Sequence, residues 1–127
     1  MPEKHSFEYA VVRIVPRVER EEFLNVGVIL YCKRPVFLQA MITLNEERLR
    51  AFCATIDVEE IKAYLHAIDN ISKGGPGAGP IGALDAGSRF RWLTATRSTI
   101  VQTSKVHAGL CTDPQQTLSQ LHEELVM

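Results

Sequence analysis

Residues 8–31, EYAVVRIVPRVEREEFLNVGVILY, leave few folds open. Two runs rich in Val, Ile, Leu and Tyr flank a charged connection that contains Pro16. Tyr9, Val11, Arg13 and Val15 fall on one face of the first run, and Ala10, Val12 and Ile14 on the other. Both faces are largely apolar, which is the pattern of a strand covered on two sides. Pro16 cannot donate to a strand ladder and ends the run. In the second run, residues 23–32, strict alternation groups Val26, Val28 and Leu30 against Asn25, Gly27, Ile29 and Tyr31. Gly27 inside such a strand marks a bulge or a close backbone approach.

A turn at Lys33-Arg34-Pro35 leads to a third strand over 36–43, and the short connections predict an antiparallel meander. The period then becomes helical. Asn45 precedes Glu46 and Glu47, which favours a helix start, and Leu49, Phe52, Cys53 and Ile56 supply its apolar stripe. Asp57 with Glu60 resembles a capping box for a second helix, whose stripe is Ile61, Tyr64, Leu65 and Ile68. Residues 74–88, GGPGAGPIGALDAGS, read as a flexible Gly/Pro-rich internal loop. Residues 89–95 and 99–104 read as short strands, with Phe90 and Trp92 packed inward. Asp113-Pro114 opens a C-terminal helix that turns Leu118, Leu121 and Leu125 to the core. The expected fold is α+β, one domain over 1–127. A mostly antiparallel sheet of four to five strands packs against the 45–73 helical pair and the C-terminal helix.

Composition narrows the function classes. A net charge of −1 over 127 residues gives no general basicity that would require nucleic acid. No window approaches the ~18 apolar residues of a membrane span. The opening MPEKHSFEY has no apolar signal core, so a cytoplasmic protein is expected. Cys32, Cys53 and Cys111 form no CxxC pair and read as reduced, mostly buried thiols. His5, His66, His107 and His122 show no metal-ligand spacing, and no metal or cofactor is expected. Gly77, Gly79 and Gly82 match GxGxxG, but the motif follows a helix rather than a strand, and Pro80 removes one of the amides a pyrophosphate would need.

Two segments carry polar residues that packing alone does not explain. Arg13 lies between Val11 and Val15, and a covered charge needs a partner. Glu22, at the far end of the connection, is the expected one. The pair either pins the hairpin or joins Asn25 and Arg97 around a ligand. The second segment holds Arg89, Arg91, Arg97 and Lys105, with Ser98 and Thr99 and no carboxylate between. Guanidinium groups beside hydroxyls suit phosphate, and Arg with aromatics can stack on bases. The same residues also describe a solvated strand face.

The residues Y-A-V-V-R-x-V-P-R-V-E-R-x-E-F-x-N-V-G-V-x-L-Y at 9–31 resemble the opening of the bacterial family called domain of unknown function 3037. R-F-R-W-L-T-A-x-R-S-T at 89–99 and V-H-A-G-L-x-T-D-P at 106–114 are similar to its C-terminal half. The motif positions that the resemblance carries over are Arg13, Glu22, Asn25, Gly27, Arg97, Ser98 and Thr112. Glu21 stands where the family pattern leads one to expect glycine, which argues against a glycine-dependent turn there. The resemblance implies a small, cytosolic, stand-alone bacterial protein and no particular reaction. Family members sit beside genes for HipA-like kinases, which implies a kinase or other protein as partner.

The leading expectation is therefore a non-catalytic binding or adaptor module, an accessory to a HipA-like kinase, with Arg13, Glu22, Asn25, Gly27 and Arg97 at its polar interface. The alternative is a binder of a phosphate-containing ligand, nucleotide or RNA, through Arg89, Arg91, Arg97 and Ser98. A hydrolase or nuclease using Glu19, Glu21 and Glu22 is the third reading. Nothing in the residues selects an oligomeric state.

Overall fold

A computed structural model describes residues 3–97 and 99–127. The elements run β1 (His5–Ile14), β2 (Leu24–Cys32), β3 (Phe37–Ile42), α1 (Glu46–Phe52), α2 (Val58–Lys73), α3 (Ala86–Leu93), β4 (Val101–Thr103), β5 (His107–Cys111) and α4 (Pro114–Leu125). A 3-10 segment covers Val18–Arg20, and two short ones, separated by a kink at Gly79, cover Pro76–Ala83. The sheet is antiparallel in every pairing, ordered β3-β2-β1, with β4 and β5 end to end along the outer edge of β1. The α+β expectation holds.

β1 is covered on both faces, as its composition requires. Val12 and Ile14 enter a core with Ile29, Ile61, Leu65, Phe90 and Leu93, beneath α2 and α3. Phe7, Val28, Leu30 and Cys32 enter a second core with Leu118 of α4 and Val126 just past its end. The predicted caps are in place: Asn45 accepts from the Arg48 N–H, Asp57 from Glu60, and Asp113 from Gln115 and Gln116.

Several expectations need correction. β1 begins at His5, three residues ahead of the run that opens at Glu8. The segment RFRWLTA is not a strand. Asp85 accepts from the Ser88 N–H at 2.7 Å and starts α3, and the true apolar stripe is Ala86, Phe90 and Leu93, at helical spacing. The Arg-Phe-Arg-Trp alternation hid it. Phe90 is fully buried, but Trp92 points outward and is 42% exposed. Residues 74–88 do not form a free linker. The Gly75 N–H bonds the Gly82 carbonyl at 3.0 Å, Ala78 and Ile81 pack against the core, and the last three residues already belong to α3. β5 was missed, since its polarity does not follow its burial: the apolar Ala108 and Leu110 lie on the exposed side.

Glu21 adopts φ 56°, ψ 19°, the left-handed region. The turn geometry suited to glycine thus persists without glycine, at the cost of crowding between Cβ and the backbone. Glu21→Gly is expected to stabilise the fold by about 0.5–1 kcal/mol, read as a shift in the urea midpoint at unchanged slope.

The thiols also separate by position. Cys32 is buried and directs its Sγ to the carbonyls of Ser6 and Arg34, both at 3.3 Å. Burial pushes the Cys111 thiol above its ordinary pKa. Cys53 is partly exposed. Because the thiolate is the reacting species, a thiol reagent at neutral pH should label one cysteine per native chain quickly, and all three only in denaturant.

Candidate functional site

β1 is the strand on which the polar site is built, and a bulge in β2 assembles it. From Phe7↔Cys32 to Val12↔Gly27 the β1–β2 register is constant. It then shifts, so that Arg13 faces Asn25 and Ile14 faces Leu24. One extra residue in β2 reverses the side-chain parity beyond it. Val26 therefore joins the core with Ile29 rather than the face of Val28. Asn25 crosses to the α4 face and lies directly opposite Arg13. Gly27 permits this. A Cβ there would stand 2.9 Å from the Ile42 Cγ1 and 3.0 Å from the Met41 carbonyl oxygen.

Arg13 is half-buried, with its Cζ 3.9 Å from the centroid of the Phe23 ring. Burial lowers its pKa from the ordinary value, yet arginine stays protonated in proteins. It forms no ion pair among the described residues. The expected Arg13–Glu22 pair is absent. Glu22 instead meets Arg20 on the exposed turn, because the 3-10 segment at Val18–Arg20 directs the turn's charges to solvent. Asn25 donates from Nδ2 to the Leu125 carbonyl at the end of α4, at 3.1 Å. This leaves Arg13 Nε and Asn25 Oδ1 buried without a hydrogen-bond partner among the described residues. On the other side of Arg13 stands Gln102 of β4. α4 lies over β2 and β3, and Tyr9, Gln102 and His107, on the Arg13 side, remain half-buried.

The three C-terminal arginines do not join Arg13. Arg89 donates to the carbonyls of Ile71 at 2.9 Å, Ser72 at 2.8 Å and Leu84 at 3.0 Å, closing the end of α2. Arg91 grips the Glu8 carboxylate with both Nη atoms, at 2.9 and 2.7 Å. Arg97 donates to the carbonyls of Trp92, Leu93 and Ala95 at the end of α3 and stacks on Trp92, Cζ 4.4 Å from the ring centroid. All three work on the α2–α3 side of the sheet. Ser98 lies outside the described residues. The carboxylates of Glu19, Glu21 and Glu22 are exposed. Among the described residues no group of three or more His, Cys, Asp or Glu is placed to hold a metal ion, and no helix is long and apolar enough to cross a membrane.

With this geometry in view, comparison with known proteins is specific. A protein-family profile described as "Protein of unknown function (DUF3037)" matches residues 9–126. The chain belongs to this family. No curated protein and no solved structure matches it. In this DUF3037 protein the motif positions separate into groups. Arg13, Asn25 and Gly27 meet at the bulge, Glu22 closes the turn with Arg20, Arg97 caps α3, and Thr112 is exposed just before the Asp113 cap. Phe23 and Gln102 were not singled out from the sequence. Their nearness to Arg13 depends on cross-strand register, which no local pattern reveals.

Proposed function

We propose that the protein is a non-catalytic binding module that engages a partner protein, with Arg13 receiving an acidic group of that partner and the Asn25 Oδ1 accepting from a donor beside it. One observation carries the reading. Among the described residues a half-buried guanidinium has no carboxylate beside it, and its buried Nε and the opposing Asn25 Oδ1 both lack partners. Leaving one such group unpaired costs about 1–3 kcal/mol. A fold that keeps two of them together is holding a polar constellation that packing does not require. Phe23, 44% exposed, adds an apolar contact beside the charge. An aromatic and an arginine side by side are favoured anchors of protein interfaces. Arg89, Arg91 and Arg97 are each hydrogen-bonded within the chain, so among the described residues they form no cluster of free guanidinium groups that would favour the phosphate reading.

The partner class implied by the family's gene neighbourhood is a HipA-like kinase. The test is capture of such a kinase, encoded beside a family member, by its own cognate protein. Arg13→Met is expected to weaken capture at least tenfold while leaving the melting temperature equal or higher, because the methionine removes an unpaired buried donor. Equal capture by the variant sinks the role of Arg13. Absence of capture by the unaltered protein sinks the kinase as partner.

A further inference from the structure

A second surface lies on the opposite side of the sheet, at its β4 edge. The Ser104 N–H bonds the Val11 carbonyl and the Val15 N–H bonds the Ile100 carbonyl. With Gln102 opposite Arg13, the antiparallel alternation aims the main-chain groups of Ile100, Gln102 and Ser104 at β1. Those of Val101 and Thr103 therefore point away from the sheet. The Val101 carbonyl is taken by the Thr99 hydroxyl at 2.7 Å. Both Thr103 groups and the Val101 N–H have no backbone partner among the described residues. Such an edge is a template for another strand.

Beside this edge is an apolar groove of about 230 Å³ between α2, α3 and β4. Ile68, Ile71 and Leu93 form its floor, and Tyr64 and Trp92, 41% and 42% exposed, form its aromatic rim. No carboxylate lines it. Arg97 lies on the rim, bonded to carbonyls alone, so its charge is not neutralised within the site. Lys105, exposed, follows directly after the edge.

We infer that the β4 edge receives an extended segment of a partner protein, which adds as a strand along Val101–Thr103. One apolar side chain of that segment enters the groove, and neighbouring Asp or Glu residues meet Arg97 and Lys105. Strand addition draws affinity from main-chain bonds and specificity from side-chain pockets. The edge supplies the bonds, the groove supplies the pocket, and the unbalanced positive rim selects an acidic segment. This inference rests on the protein being a protein-binding module, but it places a second contact on the face opposite Arg13.

The test uses the full chain and a displayed library of random twelve-residue peptides, followed by calorimetry on the synthesised winners. Trp92 is the only tryptophan, so its emission reports on the groove directly. Selected peptides should combine an apolar residue with adjacent Asp or Glu, shift the Trp92 emission and bind more weakly as salt rises. Thr103→Pro removes an outward N–H and no ladder bond, and should weaken binding at least tenfold. Ala67→Glu, on the exposed groove wall of α2, leaves the edge intact and should do the same through charge. Arg13→Met should bind these peptides as the unaltered protein does. Selection of nothing, of peptides without acidic residues, or of peptides that bind Thr103→Pro within twofold of the parent overturns the inference. A concentration-dependent dimer abolished by Thr103→Pro assigns the edge to a second copy and overturns it too. If the library fails while kinase capture through Arg13 holds, this inference falls alone. If both fail, the binding-module reading falls with it.

Discussion

Phe90→Ala is expected to lower the unfolding free energy by about 3–5 kcal/mol, the largest effect of any single truncation outside the sheet. Phe90 is fully buried and stacks on Tyr31 with ring centroids 5.3 Å apart. It joins α3 to β2 and shares the core of Val12, Ile14 and Leu65. The loss combines the transfer free energy of the ring with a cavity that the surrounding strands cannot close. Since domains of this kind are stable by about 5–15 kcal/mol in total, the variant should melt far below the parent or fail to fold at growth temperature. Urea unfolding followed by far-UV circular dichroism reads the change. If the loss is below about 1 kcal/mol, α3 is not the core helix described above.

Arg89→Met is expected to cost about 2–3 kcal/mol, because a charged donor to three carbonyls disappears. Two of those carbonyls, Ile71 and Ser72, belong to the last turn of α2, which no intrahelical donor can satisfy. Arg91→Met, two residues on, should change stability by no more than about 1 kcal/mol, since its pair with Glu8 is exposed and screened by water. The two melts side by side test whether a basic segment that looks uniform in sequence is in fact divided by structure. Equal effects would show that Arg89 does not close α2.

This division explains why the functional part of the sequence was harder to read than the fold. Asn45, Asp57 and Asp113 announce helix starts because a cap is a local event, decided by a side chain and an amide two or three residues away. The basic run from Arg89 to Lys105 carries no such local rule. A guanidinium reaches carbonyls 17 and 18 residues back as readily as a phosphate. Its sequence neighbours do not say which. The Arg13–Glu22 expectation failed for a related reason. A 3-10 turn and a left-handed Glu21 send the carboxylate outward to Arg20.

The residues alone determined that 8–31 forms a twice-covered hairpin, that Gly27 marks a bulge or a close approach in the second strand, and that helices begin after Asn45, Asp57 and Asp113. Periodicity, proline and capping chemistry act over a few positions and are written in the chain. Tertiary structure alone decided what Arg13 faces. A single extra residue in β2 reverses the parity of everything before it, and that slip brings Asn25, rather than a valine, opposite the arginine. Register is a property of two strands together, so the polar pair on which the proposed function rests exists only in the folded sheet.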